Sequence, residues 1–262
     1  MRAGQYGAQI KLPHVPGRDF SGVVSAVGKD ANDFKVGDAV FAVCEVPREG
    51  AYAEKIAIRQ ELVARKPERL SHAQCAAIAL AGLTALISIE ETIKLHAGET
   101  ILIQGGAGGV AGFAIALAKH LGARVITTAS AANHAYVRSL GADEVIDYRT
   151  QDFTQLVSNC DAVFDTVGGE VTQKSFAVLR PGGRLATVAA GGAAPASPRS
   201  DTTSLRPKVN RDRPHLERVG KLVAEGIVPL PNIVEYPLAE AAAAHRVSEA
   251  RHLRGKLVLK VR

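Results

Sequence analysis

The stretch Ile101–Lys119, ILIQGGAGGVAGFAIALAK, decides how the chain reads. Apolar residues of strand character run into a knot of glycines, and a small-residue apolar run ending in lysine follows. Two readings compete: a strand–turn–helix unit that bends backbone around a phosphate, or a hydrophobic segment loosened by glycine. Gln104 and the glycines disfavour a membrane span, which needs about 18 or more predominantly apolar residues. The spacing Gly105–Gly108–Ala111, with Gly106 and Gly109 beside it, puts glycine where a strand turns tightly into a helix. Backbone N–H groups can there approach a pyrophosphate at the helix N-terminus, where the helix dipole also favours an anion. Alanine in the last position still permits close helix packing.

Composition sets the bounds. With 262 residues, 47% hydrophobic and 22% charged, the chain can build one large or two modest cores and is not of the disordered class. The formal charge is +6, but lysine and arginine are spread along the chain and aromatics make up only 5%. No stacking platform among basic runs points to nucleic acid; the charge favours anionic ligands and no more. Cys44, Cys75 and Cys160 are isolated and outside CxxC spacing. That argues against a disulfide framework or a cysteine-rich zinc site and fits a reduced, cytoplasmic setting. The opening MRAGQYGAQIKLPH has no apolar h-region, so it does not read as a secretory signal. CAAIALAGLTALISI is too short for a membrane span.

Up to about Pro67 the chain reads as β: SGVVSAVG, GDAVFAV and AYAEKIAI are short runs punctuated by Gly, Pro and Asp, the pattern of a small barrel or sandwich. Ser71–Gln74 is a capping-box pattern opening a helix through about Ser88. From Thr100 strands and helices alternate: TILIQ, a helix to His120, RVITTA, NHAYVRSL, EVIDY, DAVFDTV, TQKSFAVL, GRLATVAA. Short strands apolar on both faces and separated by helices signify a parallel sheet covered on both sides. RPGG and two LGA turns are expected to end helices with glycine. The loop GGAAPASPRSDTTS marks a change of architecture; a helix near His215–Ala224, IVPLPNIVEYPL, a short alanine-rich helix and the strand KLVLKV follow. This βαβ context favours the cofactor reading of the glycines over a purely structural turn.

The end of the second strand of that unit bears on which cofactor. An NAD-selective site carries Asp or Glu there, about 20 residues past the glycines, to bind the ribose hydroxyls. In RVITTASAANH that place holds Ser130, followed by Asn133, His134 and Arg138, which offer donors to a 2′-phosphate. NADP(H) is therefore favoured over NAD(H). Ser130 also suits a helix cap, and both roles can hold together. A catalytic zinc needs converging ligands; the eight histidines lie apart and read as solvated. No GxSxG elbow is present, and Asp165 in VFDTVGG reads as a strand-end structural residue.

The ordered set PHVPGRDFSGVVSAVG, FKVGDAVFA, GAYAEKIAI, AAIALAGLTAL, ILIQGGAGGVAG, ARVITTAS, LGADEVIDYR and RPGGRLATV resembles the zinc-independent quinone oxidoreductases of the medium-chain dehydrogenase/reductase superfamily. The similarity runs from Arg2 to RGKLVLKV. It implies an α/β fold: a doubly wound Rossmann domain, residues 76–226, and a GroES-like β-barrel substrate domain from residues 1–75 and 227–262. It implies NADPH-dependent reduction of quinones or α,β-unsaturated carbonyls in the cleft between them, a homodimer, and neither membrane nor nucleic-acid partners. Zinc-dependent relatives carry Gly-His-Glu where this chain has Gly17, Arg18 and Asp19, and a cysteine where it has LAGLT. No metal is expected.

Carried over by the same resemblance, Gly105, Gly108, Gly109 and Val110 fall at the pyrophosphate, Ser130 and Tyr148 near the adenosine 2′-phosphate with Asn133 and Arg138 as further donors, and Thr84 and Val167 along the cofactor. Tyr6 matches a tyrosine at the nicotinamide end of the substrate pocket. No single catalytic acid is expected, since a quinone or enolate oxygen can take its proton from solvent or a nearby hydroxyl. Relatives often carry Arg or Lys where this chain has Ala132, which leaves Ser130, Arg138, Tyr148 or Arg149 to hold the 2′-phosphate. The first strands of the family's barrel, with a substrate-side asparagine, are expected to be missing. That keeps open an alternative: a catalytically impaired NADPH-binding protein with a structural or regulatory role.

Overall fold

The computed structural model describes residues 13–45, 49–189, 193–250 and 253–261. Three short antiparallel strands come first: β1 (Asp19–Val23), β2 (Ala39–Val43) and β3 (Val63–Arg65), with Phe20 opposite Ala42 and Phe41 opposite Ala64. β2 is central and almost wholly buried. The run Ala51–Ile58, expected as a strand, forms none. A strand needs a neighbour for its backbone N–H and C=O groups, and the second edge of β2 is taken by β3. The Ala51 and Tyr52 N–H groups turn back to Gly17 and Pro16 carbonyls at 3.1 and 2.9 Å instead.

Helix α1 (His72–Leu86) starts as its sequence foretells: Ser71 Oγ accepts from the Gln74 N–H at 3.2 Å, and Gln74 Oε1 accepts from the Ser71 N–H at 2.8 Å. It runs on without a break into a wider π-helical segment, Ile87–Ile93, stopped by left-handed Lys94 (φ 53°). The resulting 22-residue helix, His72–Ile93, is long and apolar enough to cross a membrane. Its most apolar window is 72% buried inside the protein, which is the behaviour of a core helix. It packs against β1 and β2 as well as helix α2 (Gly109–His120), so it forms the spine between the two lobes.

Beyond it lies a six-stranded parallel sheet: β4 (Thr100–Gln104), β5 (Arg124–Thr128), β6 (Glu144–Ile146), β7 (Cys160–Asp165), β8 (Leu179–Thr187) and β9 (Thr203–Leu205). The spatial order is β6-β5-β4-β7-β8-β9, all pairs parallel. Ile101, Leu102 and Ile103 are all fully buried, because α2 and its neighbours cover both sheet faces. The helices are α3 (His134–Ser139), α4 (Phe153–Leu156), α5 (Glu170–Ser175) and α6 (Arg213–Ala224). Strand order reverses direction between β4 and β7, and such a switch point opens a crevice at the C-terminal strand ends.

Glycines end α2 and the turn after α3 as expected, Gly122 at φ 84° and Gly141 at φ 105°. RPGG does not end a helix: it lies inside β8, where Gly182 (φ 75°) forms an irregularity against β7. The Gly182 N–H donates to the Asp201 carbonyl at 2.7 Å, and the chain beyond Asp201 becomes edge strand β9. The chain then returns to the first lobe as β10 (Ile233–Pro237), α7 (Ala241–Glu249) and β11 (Lys256–Lys260), with β10 and β11 a parallel pair.

Candidate cofactor site

At the end of β4 the chain turns at Gly105 (φ 77°), and the Gly108 N–H donates to the Gly105 carbonyl at 3.0 Å. The Gly112 N–H then donates to the Gly108 carbonyl at 2.8 Å, the first bond of α2. No side chain caps this helix, so its first N–H groups face the crevice for a ligand to accept. The glycines differ in what they do. A β-carbon on Gly106 would lie 2.3 Å from Thr127 Oγ1, so that position is closed by packing; one on Gly109 would lie 2.7 Å from Cδ of the flexible Lys256 side chain, which can move aside. At Gly108 a β-carbon would meet only the Gly105 carbonyl at 3.4 Å, and φ is an ordinary −74°. Space and backbone both tolerate a side chain at Gly108; what glycine leaves there is an open approach to backbone, the cradle a pyrophosphate requires.

A polar layer carries the turn from below. Thr128 Oγ1 donates to Gln104 Oε1 at 2.7 Å and accepts from the Gly105 N–H at 3.1 Å; Gln104 Nε2 donates to Ser175 Oγ at 3.1 Å. Across the crevice, Asp165 Oδ1 accepts from the Val167 and Gly168 N–H groups at 2.8 and 3.1 Å, and Oδ2 from the Thr187 hydroxyl at 3.2 Å and from Thr172. Asp165 is fully buried and every bond is to the fold, which is the structural role its sequence context suggests. Val167 borders the turn: its Cγ2 would lie 3.1 Å from a β-carbon on Gly105.

The carboxyl end of β5 forms the outer wall. Ser130 is nearly buried, and its Oγ accepts from Asn133 Nδ2 at 3.2 Å while its carbonyl accepts from the Asn133 N–H at 2.8 Å. The Ser130 side chain makes no helix cap. The nearby carboxylate is Asp147, after β6, whose two oxygens accept from the Ala131 and Arg149 N–H groups at 3.2 and 3.0 Å. Arg138 is exposed on α3; Tyr148 is exposed beside β6 with the Arg149 guanidinium 6.0 Å from its ring. Val110 follows Gly109 in the first turn of α2. Thr84 sits in α1 with its hydroxyl donating back to the Leu80 carbonyl at 2.7 Å. Tyr6 lies outside the described residues.

Arg254 was not among the sequence-derived candidates. It precedes β11, and its Nε donates to Asn133 Oδ1 at 2.9 Å and its Nη2 to the Ala132 carbonyl at 2.8 Å. Its neighbour Gly255 pairs with Gly108 as an isolated parallel bridge, and the Gly255 N–H donates to the Ala107 carbonyl at 3.2 Å. Only glycine fits at 255: φ is 79°, and a β-carbon would lie 2.1 Å from the Asn232 carbonyl oxygen. The lead-in to β11 thus lies against both the glycine turn and the end of β5.

Two family models match the sequence: "Alcohol dehydrogenase GroES-like domain" over residues 1–68 and "Zinc-binding dehydrogenase" over residues 140–259. The chain is 35% identical to the NADPH-dependent alkenal/one oxidoreductase, chloroplastic, of Arabidopsis thaliana over 98% of its own length and 67% of the relative's. The quinone oxidoreductase of Coxiella burnetii superposes with a TM-score of 0.87 at 36% identity, over 94% of this chain and 79% of that one. The chain belongs to the quinone oxidoreductases of the medium-chain dehydrogenase/reductase superfamily. The Escherichia coli quinone oxidoreductase solved with NADPH shares the fold at a TM-score of 0.89 and 27% identity, covering 99% of this chain and 86% of that one. A pyridine nucleotide is the cofactor this site is built to take.

Membership of this oxidoreductase family raises the zinc question, given the name of one matching model. Where the zinc-dependent pattern needs a histidine, Arg18 Nε donates to Glu49 Oε1 at 2.7 Å in a largely buried ion pair. The next position, Asp19, accepts the Leu80 N–H at 2.5 Å. Among the described residues no three His, Cys, Asp or Glu side chains are grouped to hold a metal. An ion-paired guanidinium at this position does not fit a zinc site, whose ligands are Cys, His or carboxylate.

Proposed function

We propose that this chain is an NADPH-dependent reductase of quinones or α,β-unsaturated carbonyls, working without zinc. The observation that carries the reading is the end of β5: Ser130 and Asn133 stand where an NAD-selective site places a carboxylate, and Asp147 is already held by two backbone N–H groups. The family names point the same way, since the Arabidopsis relative is NADPH-dependent and acts on alkenals and enones.

The reduced nicotinamide, when bound, supplies a hydride. The chain's own part is placement. The uncapped N-terminus of α2 and the open backbone at Gly108 bind the pyrophosphate, and the Gln104–Thr128–Ser175 layer keeps that turn rigid. Val167 borders one side of the crevice at the glycine turn. The oxygen of a reduced quinone or enone can take its proton from solvent or a nearby hydroxyl, so no dedicated side-chain acid is required.

The test is cofactor oxidation with a small quinone and with a short enone. NADPH is consumed and NADH is clearly poorer; equal rates with both cofactors would overturn the NADP(H) assignment. Saturable NADPH binding with no turnover across the panel would instead make this a binding protein.

A further inference from the structure

We infer that Arg254, delivered by the segment leading into β11, is the residue by which this chain distinguishes NADPH from NADH; the inference rests on the NADP(H) reading above. The loop after β5 has no cation of its own beside Ser130, since Ala131, Ala132 and Asn133 follow it. A guanidinium suits a dianionic 2′-phosphate because it adds an opposite charge and forked donors to what a neutral hydroxyl and amide supply. Arg254 supplies it from a distant part of the chain.

Three contacts fix the guanidinium. Nε and Nη2 bond Asn133 Oδ1 and the Ala132 carbonyl, and the group stacks 5.3 Å from the Tyr136 ring centre. Burial pushes the Tyr136 phenol up, so the ring stays neutral and offers its face to the cation. Neither bond uses Nη1, and the residue as a whole is exposed. Ser130 Oγ, in turn, accepts from Asn133 Nδ2, which leaves its own proton to donate. A held arginine with outward donors and a serine hydroxyl, bridged by Asn133, form a donor cluster for a phosphate that is ordered before the ligand arrives. The Gly108–Gly255 bridge sets its position relative to the pyrophosphate turn.

Fluorescence titration of wild type, R254Q and R254K with NADPH and with NADH tests this. The charge-removing variant R254Q weakens NADPH binding by roughly tenfold or more while NADH stays within about twofold, and R254K recovers part of the loss. In the wild type, added salt weakens NADPH more than NADH, a measurement that needs no variant. A wild-type preference for NADPH that survives in R254Q would overturn the Arg254 assignment alone, as would parallel loss of both cofactors, the mark of a structural role. Equal wild-type affinity for both cofactors would overturn the NADP(H) reading, and this inference with it.

Discussion

The Thr128 hydroxyl donates to Gln104 Oε1 at 2.7 Å in the side-chain layer directly beneath the glycine turn. Both residues are buried, and the same hydroxyl oxygen receives the Gly105 N–H at 3.1 Å. Thr128→Val keeps the shape but orphans two polar groups, at a cost of about 1–3 kcal/mol. Urea unfolding is expected to show that loss, with a parallel loss of nucleotide affinity. An unchanged midpoint would mean that water repairs the layer.

Two glycines in one turn are expected to respond in opposite ways. Gly106→Ala forces a methyl against Thr127 Oγ1 and destabilises the fold by about 1–3 kcal/mol. Gly108→Ala meets no such obstacle, so the melting temperature holds while nucleotide affinity falls about tenfold or more through blocked backbone approach. Full nucleotide affinity in Gly108→Ala would remove the pyrophosphate from this position.

His215 joins the start of α6 to the π-helical segment after α1: Nδ1 lies 2.7 Å from Asp212 Oδ1 and Nε2 lies 2.5 Å from Glu91 Oε1. Burial works against its charge, but hydrogen bonds to Glu91 and Asp212 outweigh that and raise its pKa. A group that holds its proton more tightly when folded contributes fully below its unfolded pKa of about 6.5 and loses the contribution as pH climbs through the folded value. Between about pH 6 and pH 8 the melting temperature of the wild type therefore falls more steeply than that of H215Q. Parallel profiles would show that the histidine is unprotonated throughout.

All three cysteines are buried, and burial pushes the Cys44 and Cys75 thiols up to about 11 and Cys160 to about 12. A disulfide reagent near neutral pH is expected to label none of them in the folded protein and all of them in denaturant. Rapid labelling of a native thiol would reveal an opening of the core that the static fold does not contain.

Where local rules decide, the sequence was sufficient. Ser71 and Gln74 announce α1, and glycine spacing between a strand and a helix announces the turn, because both depend on residues a few positions apart. Ala51–Ile58 has strand character but loses its partner to Val63–Arg65, a competition that no local pattern records. RPGG carries the signal of a helix end yet serves an irregular strand, since positive φ is needed in both settings. Arg254 was invisible for the plainest reason: its partners Ala132 and Asn133 stand more than a hundred positions earlier, and no spacing rule reaches that far.

The Gly108–Gly255 bridge also bears on how the protein comes into being on the ribosome. The phosphate-binding turn is translated long before the residue that buttresses it, and contacts so remote in sequence form late in folding. A nascent chain can lay down the whole parallel sheet, β4 to β9, while its cofactor pocket still lacks one wall. A chain ended before the β11 lead-in would therefore keep the glycine turn but lack the Gly255 backbone that lies against it.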